Sequence, residues 1–335
     1  MRRATVLFVF ILISGGGAAI AYEPGTHERL AIRSAAPSVS LLDQILKQEL
    51  GLIDGIKTPF PGTARRTLQR VEDLIGDGAR FEDFPSWRAL NHFHNPLVEP
   101  WDEAGLRTFS IFGLPLVRGQ SSTLWQQNPN QPWTFVFTPV PLPSLGGQWS
   151  WQDARRRYLD ALTRPGKEDT ETEPGRDRAF GELFETLGHL THLVQDAFVP
   201  AHARNDAHPP GLRSDWYEMW VERARTDLPG KFSALLNATP KGPAPSIFTA
   251  TGNERAPVPV ARLIDTDTFR PPSTSVLGDE NSLIGAAEYS NGNFLSRGTL
   301  FRRFQFPRTE ALDPRQPLEL TPGKFRRYFT KSRDG

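Results

Sequence analysis

One segment constrains this chain more than any other, because residues 178–199 combine the strongest helical pattern with side chains that can bind metals. The apolar positions recur at helical spacing and form a broad face: Phe180, Leu183, Phe184, Leu187, Leu190, Val194 and Ala197. Pro200 ends the pattern, since proline lacks the backbone N–H that a helix interior needs. A helix with so wide an apolar face is packed on several sides, so we expect it at the centre of the fold.

The polar residues in and after this helix predict a metal site. Four of the seven histidines fall within twenty residues: His189, His192, His202 and His208. His192 and Asp196 are four positions apart, so both side chains leave one face of the helix and can share a metal ion. A single helical histidine is usually an ordinary core or surface residue, but several buried polar groups need something to satisfy them. Gly188 would let another backbone approach closely, and His189 is expected to support the ligands by packing or hydrogen bonding.

The first 21 residues have the form of a signal peptide. Arg2 and Arg3 precede an apolar run at residues 6–13, and residues 19–21 have the small-x-small pattern that signal peptidase accepts. The run is shorter than the roughly 20 residues that a membrane-spanning helix requires. We therefore expect a mature chain that begins at Tyr22 and is secreted or periplasmic.

Charge and cysteine content narrow the function further. Removal of residues 1–21 takes away Arg2 and Arg3 and no acid, so the formal charge changes from +1 to −1. A balanced chain has no bulk attraction for nucleic acid or anionic lipid. The chain has no cysteine, which excludes a thiolate ligand, a cysteine nucleophile and a disulfide framework.

The remaining pattern predicts a mainly α fold, a single multi-helix domain around a central metal-binding helix, with long irregular loops. Helices are predicted at residues 27–50 (interrupted near Pro37), 63–75, 151–162, 178–199, 213–225 and 283–301. Residues 95–150 are expected to be a long excursion that could include a short hairpin, and residues 238–280 to be mostly irregular. The predicted divisions are a signal peptide at 1–21, one domain at 22–300 and a tail at 301–335.

An ordered set of motifs resembles the zinc-dependent phospholipase C family, which shares its fold with zinc-dependent single-strand nucleases. The central motif is His192-x3-Asp196-x5-His202, preceded by Leu-Gly and with Pro200 before Ala-His. The resemblance extends to residues 22–27, Glu82-Asp83, residues 91–96 and Tyr217-Glu218, and a stretch at 286–296 is similar to a helix of bacterial relatives. It covers most of residues 22–225 in order, and the central motif is the specific one.

The resemblance implies three zinc ions, with Asp196 shared between two of them. The implied ligand sets are Asp83, His92, His192 and Asp196; Asp196, His27 and the amine and carbonyl of Tyr22; and His202, Glu218 and one further histidine. Carboxylates and neutral imidazoles suit zinc, and open coordination positions are typical of catalytic sites.

Two departures from the family pattern affect this ligand set. The last histidine of the family usually lies one turn before the glutamate, where this chain has Ser214, and the nearest substitute is His208. Tyr22 replaces a typical tryptophan, which is tolerable because the ligating atoms belong to the backbone.

Alternatives remain at two of the ligand positions. Asp77 or Glu82 could take the place of Asp83, which is favoured by its spacing to His92. His94 could ligate in place of His92, although it falls where the family has an aromatic residue.

The expected function is a secreted zinc-dependent phosphodiester hydrolase in which Asp83 orients or deprotonates the water that attacks phosphorus. Its expected substrate is a phospholipid or another phosphodiester, with transient contact to a membrane surface and no obligate protein partner. A single-strand nuclease is the enzymatic alternative, but it needs a basic groove and aromatic faces, and the mature charge of −1 gives no sign of the groove. The third possibility is a secreted zinc-binding protein without catalytic activity.

Overall fold

The computed structural model describes residues 24–63, 67–106, 109–111, 114–117, 119–127, 149–163, 175–208, 215–237, 260–266, 285–296, 318–321 and 324–326. Within these residues there are nine α-helices: α1 Pro24–Ala35, α2 Leu42–Gln48, α3 Val71–Phe81, α4 Ser122–Trp125, α5 Trp151–Thr163, α6 Arg176–Ala197, α7 Trp216–Asp227, α8 Pro229–Asn237 and α9 Ala286–Asn293. The predicted mainly α, single-domain fold is confirmed.

Strands in the described residues are short and form antiparallel pairs. The strands are β1 Pro59–Pro61, β2 Leu68–Arg70, β3 Phe109–Ile111, β4 Leu114–Val117, β5 Leu318–Thr321 and β6 Lys324–Arg326. β1 pairs with β2, β3 with β4 and β5 with β6. The β3–β4 pair is the short hairpin anticipated within residues 95–150.

Helix α6 is the centre of the fold, as its pattern predicts. It packs most extensively against α3 and α5, and α1 packs against α3. Phe180 and Phe184 of α6 are buried beside Phe60, with ring centroids 5.1 and 5.8 Å from that of Phe60. A second apolar cluster joins the end of α6 to α9 and includes Leu193 and Ile264.

The crossing of α3 and α6 depends on glycine. A Cβ added at Gly188 would lie 2.2 Å from the carbonyl oxygen of Ile75, and one added at Gly78 would lie 2.0 Å from that of Glu185. The two backbones are therefore in direct contact, and the close approach predicted at Gly188 is confirmed. Among the described residues, no helix is both long and apolar enough to cross a membrane.

Several element boundaries differ from those predicted. The prediction of a helix at 63–75 was wrong. Residues 68–70 form strand β2, and helix α3 begins at Val71 and continues to Phe81. Arg70, the N-cap of α3, has extended backbone angles, so strand β2 leads directly into helix α3. The helix expected at 283–301 is shorter, because α9 begins after Gly285, whose N–H is bonded by the Glu288 carboxylate, and ends at Asn293. Helix α8 was not predicted.

The helix predicted at 213–225 is α7, and its start is defined by a cap. Asp215 lies just before the helix, and its side chain accepts hydrogen bonds from the backbone N–H groups of Tyr217 and Glu218. This N-cap satisfies two of the donors that a helix start leaves unpaired. It also orients the first turn of α7, which carries Glu218.

Candidate metal centre

Three groups of potential metal ligands lie in the described part of the chain. In each group the ligand atoms lie within 4.8 Å of one another: His27, His192 and Asp196; Asp83, His92 and His192; and His202, His208 and Glu218. Eight of the nine residues proposed as ligands from the sequence are therefore brought together, and the ninth, Tyr22, lies outside the described residues. These buried groups could bind metal ions.

The helices bring these residues together from distant parts of the sequence. His27 is on α1, and Asp83 follows the end of α3 by two residues. His192 and Asp196 project from α6, which packs against both helices. Glu218, in the first turn of α7, reaches the groups from another direction.

Asp196 lies at the centre of the groups. Its Oδ2 is 2.7 Å from His92 Nδ1 and 3.2 Å from His192 Nε2. His202 Nδ1 lies 3.6 Å from the same oxygen, and Oδ1 is 3.3 Å from His27 Nε2. The Asp196 side chain is fully buried, so its charge requires a cationic partner.

Four histidines are oriented so that Nε2 faces a carboxylate of the groups. In each, Nδ1 donates to an oxygen outside the groups or to a backbone carbonyl: His27 to Gln195 Oε1 (2.6 Å), His192 to Ala79 O (2.6 Å), His202 to His92 O (3.1 Å) and His208 to Asp206 O (2.9 Å). Such bonds fix the tautomer and leave the Nε2 lone pair for a metal ion. The same arrangement is usual for metal-ligating histidines.

Many buried polar atoms of these groups have no hydrogen-bond partner among the described residues. They are both carboxylate oxygens of Asp83 and Asp196, both ring nitrogens of His92, Nε2 of His192 and His202, and Oε1 of Glu218. Leaving one buried polar atom unpaired costs about 1–3 kcal/mol. Because these unpaired atoms lie close to one another, a bound cation would satisfy several of them at once.

Without a metal ion, protonated histidines balance the negative charges of the carboxylates in these groups. Burial opposes protonation of His92, but the adjacent carboxylates of Asp196 and Glu82 outweigh it and raise the His92 pKa to about 10. Burial likewise opposes ionisation of Glu218, but the charge of His208 outweighs it and lowers the Glu218 pKa to about 2. A divalent ion would replace the protons on the histidines, so metal binding should release these protons.

The alternative ligands lie outside the three groups. Asp77 accepts a hydrogen bond from Gln69 Nε2 at 2.6 Å. His94 is buried between Ser121 Oγ, 2.7 Å from its Nδ1, and Asp265 Oδ2, 2.6 Å from its Nε2. These contacts occupy both candidates, so Asp83 and His92 are the residues that the structure places in the groups.

Glu82 and His189 form a hydrogen-bonded pair beside the metal-ligand groups. His189 Nδ1 is 2.5 Å from Glu82 Oε2, and its ring stacks on Trp149 with a centroid distance of 4.6 Å. Burial lowers the His189 pKa to about 4, so the ring is neutral at pH 7 and donates to Glu82. His189 is thus hydrogen-bonded beside the ligands.

Sequence reasoning missed the groups that orient the histidines. Gln195 precedes Asp196 on α6, and that position was the only signal for its bond to His27. The carbonyl acceptors of Ala79 and Asp206 carry no sequence signal, because every residue has a carbonyl group.

Replacement of His208 by alanine tests the third group. His208 Nε2 lies 3.3 Å from Glu218 Oε2, and His202 Nε2 lies 3.4 Å from Glu218 Oε1. We expect His208→Ala to release one metal ion and to leave the others in place, as measured by metal analysis of the purified protein. Full metal occupancy in His208→Ala would show that His208 is not a ligand.

The geometry thus describes a buried centre in which histidines and carboxylates converge from three α-helices and from the segments that follow α3 and α6. Four of the histidines donate to oxygen acceptors, and the carboxylate oxygens of Asp83 and Asp196 have no hydrogen-bond partner among the described residues. Both features are those of a site that can bind metal. No family model, curated protein or solved structure matches the chain.

Proposed function

We propose that this protein is a zinc-dependent phosphodiester hydrolase that acts on phospholipids, in the manner of the phospholipase C family that its motifs resemble. The observation that carries the proposal is the convergence of three buried ligand groups around Asp196. Groups built to give structural rigidity alone would be closed by a full set of protein ligands. The third group, which consists of His202, His208 and Glu218, has three protein ligands, which suits an ion with a position open to a substrate.

Zinc fits the donor set better than other common metals. The ligands are imidazole nitrogens and carboxylate oxygens, with no thiolate in the chain. Magnesium and calcium prefer oxygen-only sets, whereas imidazole suits zinc and related transition metals. The resemblance implies three ions, one for each group.

Asp83 is the residue proposed to act on the attacking water. Both of its carboxylate oxygens are buried without a hydrogen-bond partner in the described part of the chain, and Oδ1 lies 3.5 Å from His92 Nδ1. In the protein without bound metal, burial raises the pKa of Asp83. When bound, zinc ions lower the pKa of water and offset negative charge on phosphate oxygens.

The surface next to the third group favours a lipid substrate. Trp216, Tyr217 and Trp220 of α7 are exposed, with 60%, 42% and 58% of their surface accessible. Glu218 lies on the same helix and faces inward. Tryptophan and tyrosine are favoured where water meets the apolar part of a membrane, so this helix could contact a lipid surface beside the metal groups.

Export is part of the proposal. A signal peptide at residues 1–21 would place the mature chain outside the cytoplasm, where extracellular phospholipid is available. The same exposed aromatic side chains could stack on bases, so single-stranded nucleic acid remains the second candidate substrate.

The test is metal content together with hydrolysis of three substrates by the mature chain. We expect bound zinc, release of a phosphorylated headgroup from phosphatidylcholine vesicles, and loss of this activity with a chelator. Hydrolysis of single-stranded DNA but not of lipid would replace the proposed substrate by the nuclease alternative. Bound zinc without hydrolysis of lipid, DNA or a chromogenic phosphodiester would show that the protein binds metal without catalysis, and would refute the proposed enzymatic activity.

A further inference from the structure

His92 is oriented in the opposite sense to the other histidines of the metal groups. Its Nδ1 faces the ligands, 2.7 Å from Asp196 Oδ2 and 3.5 Å from Asp83 Oδ1. Its Nε2 points the other way, 3.6 Å from Oε1 of Glu82. If Nδ1 is to offer its lone pair to an ion, the ring proton of neutral His92 must be on Nε2, beside Glu82.

The Glu82 carboxylate is held in place by three other side chains. It is completely buried. Oε2 lies 2.6 Å from Arg88 Nη2 and 2.5 Å from His189 Nδ1, and Trp125 Nε1 donates to Oε1 at 3.0 Å. Arg88 Nε also donates to the backbone carbonyl of Glu82, at 3.0 Å, so the ion pair is tied to the main chain.

We propose that Glu82 is a positioning residue that keeps the Nε2 proton on His92 and thereby directs Nδ1 toward the metal. At 3.6 Å the Nε2–Oε1 separation is longer than a hydrogen bond, so the contact is an attraction between an N–H group and a charge. Such an attraction is strong where water is excluded, and both side chains are fully buried. The inference rests on the proposed metal binding and extends it to a residue outside the ligand groups.

The isosteric change Glu82→Gln removes the charge and keeps the shape. A glutamine cannot accept hydrogen bonds from Trp125, His189 and Arg88 together, because one of its two terminal atoms is a donor, and it offers no negative charge to His92. We expect zinc affinity to fall by about 10–100-fold, the usual cost of losing a group that orients a ligand. The matched control is Glu185→Gln, since Glu185 is also buried but accepts from the Thr63 backbone N–H at 2.7 Å, outside the ligand groups.

The experiment measures zinc affinity by chelator competition and the visible spectrum of the cobalt-substituted protein. The proposal predicts weaker binding and altered cobalt bands in Glu82→Gln, and values close to those of the unchanged chain in Glu185→Gln. Equal affinity and identical bands in Glu82→Gln would overturn it, and so would an equal loss in the two variants. A wild-type chain that binds no zinc would instead overturn the proposed function.

A second variant keeps the test decisive if Glu82→Gln does not fold, as judged by circular dichroism. Trp125→Phe keeps an aromatic side chain and the Glu82 charge but removes the N–H that donates to Oε1. We expect a smaller loss of zinc affinity in this variant, with a shift of the cobalt bands. Unchanged affinity and bands in a folded Trp125→Phe protein would overturn the proposal.

Discussion

Replacement of Asp196 by alanine is expected to remove more than one metal ion and to abolish turnover. Asp196 Oδ2 lies 2.7 Å from His92 Nδ1, and Oδ1 lies 3.3 Å from His27 Nε2, so its two oxygens face two different ligand groups. Loss of a bridging carboxylate therefore weakens both sites at once. Metal analysis and phosphodiesterase rates of the purified variant give the two measurements.

Asp77→Ala is the matched control for this change. Asp77 is also a buried aspartate, but it accepts a hydrogen bond from Gln69 and lies outside the ligand groups. The control should retain its metal and its activity even if its folded state is less stable. Loss of a single ion from Asp196→Ala, or equal losses from both variants, would contradict the bridging role.

The second large effect is expected from the amino terminus. α1 begins at Pro24, and His27 on its first turn points Nε2 at Asp196. If processing makes Tyr22 the first residue, its free amine has a pKa of about 7.7–8.0 and can give up its proton to zinc near neutral pH. A peptide nitrogen has no lone pair available for this. The uncleaved precursor should therefore lack the ion shared by Tyr22, His27 and Asp196.

Release of two chains from a cleavable fusion tests this expectation, one beginning at Tyr22 and one with a glycine added before it. The extended chain should fold with the same helix content, bind one zinc ion fewer and lose phosphodiesterase activity. If it binds as much zinc and turns over as fast, the amino terminus is not a ligand and the site consists of side chains alone.

The sequence predicted the central helix and its ligand pair because both are local properties. Apolar spacing identified α6, and the four-residue separation placed His192 and Asp196 on one face. The start of α3 was not predictable in this way, because Leu68–Arg70 pairs with Pro59–Pro61, a contact between residues separated in sequence. Pattern analysis of a single window cannot detect such pairing.

The distant ligands required the family resemblance. Spacing alone left Asp77, Glu82 and Asp83 as alternatives, because it does not show which carboxylate faces α6. In the structure Asp83 lies beyond the end of α3 and near His92, whereas Glu82 is bound by Arg88. Each choice thus depends on tertiary contacts.

The glycine contact between α3 and α6 has a consequence for how easily the site accepts an ion. Where side chains separate two helices, their rotamers can change and the helices can shift relative to each other. Gly78 and Gly188 leave no such layer, so the spacing between the end of α3 and the His192 turn is set by backbone against backbone. The backbone positions of Asp83 and His192 are therefore set relative to each other before metal arrives, so that part of the site loses little conformational entropy on binding.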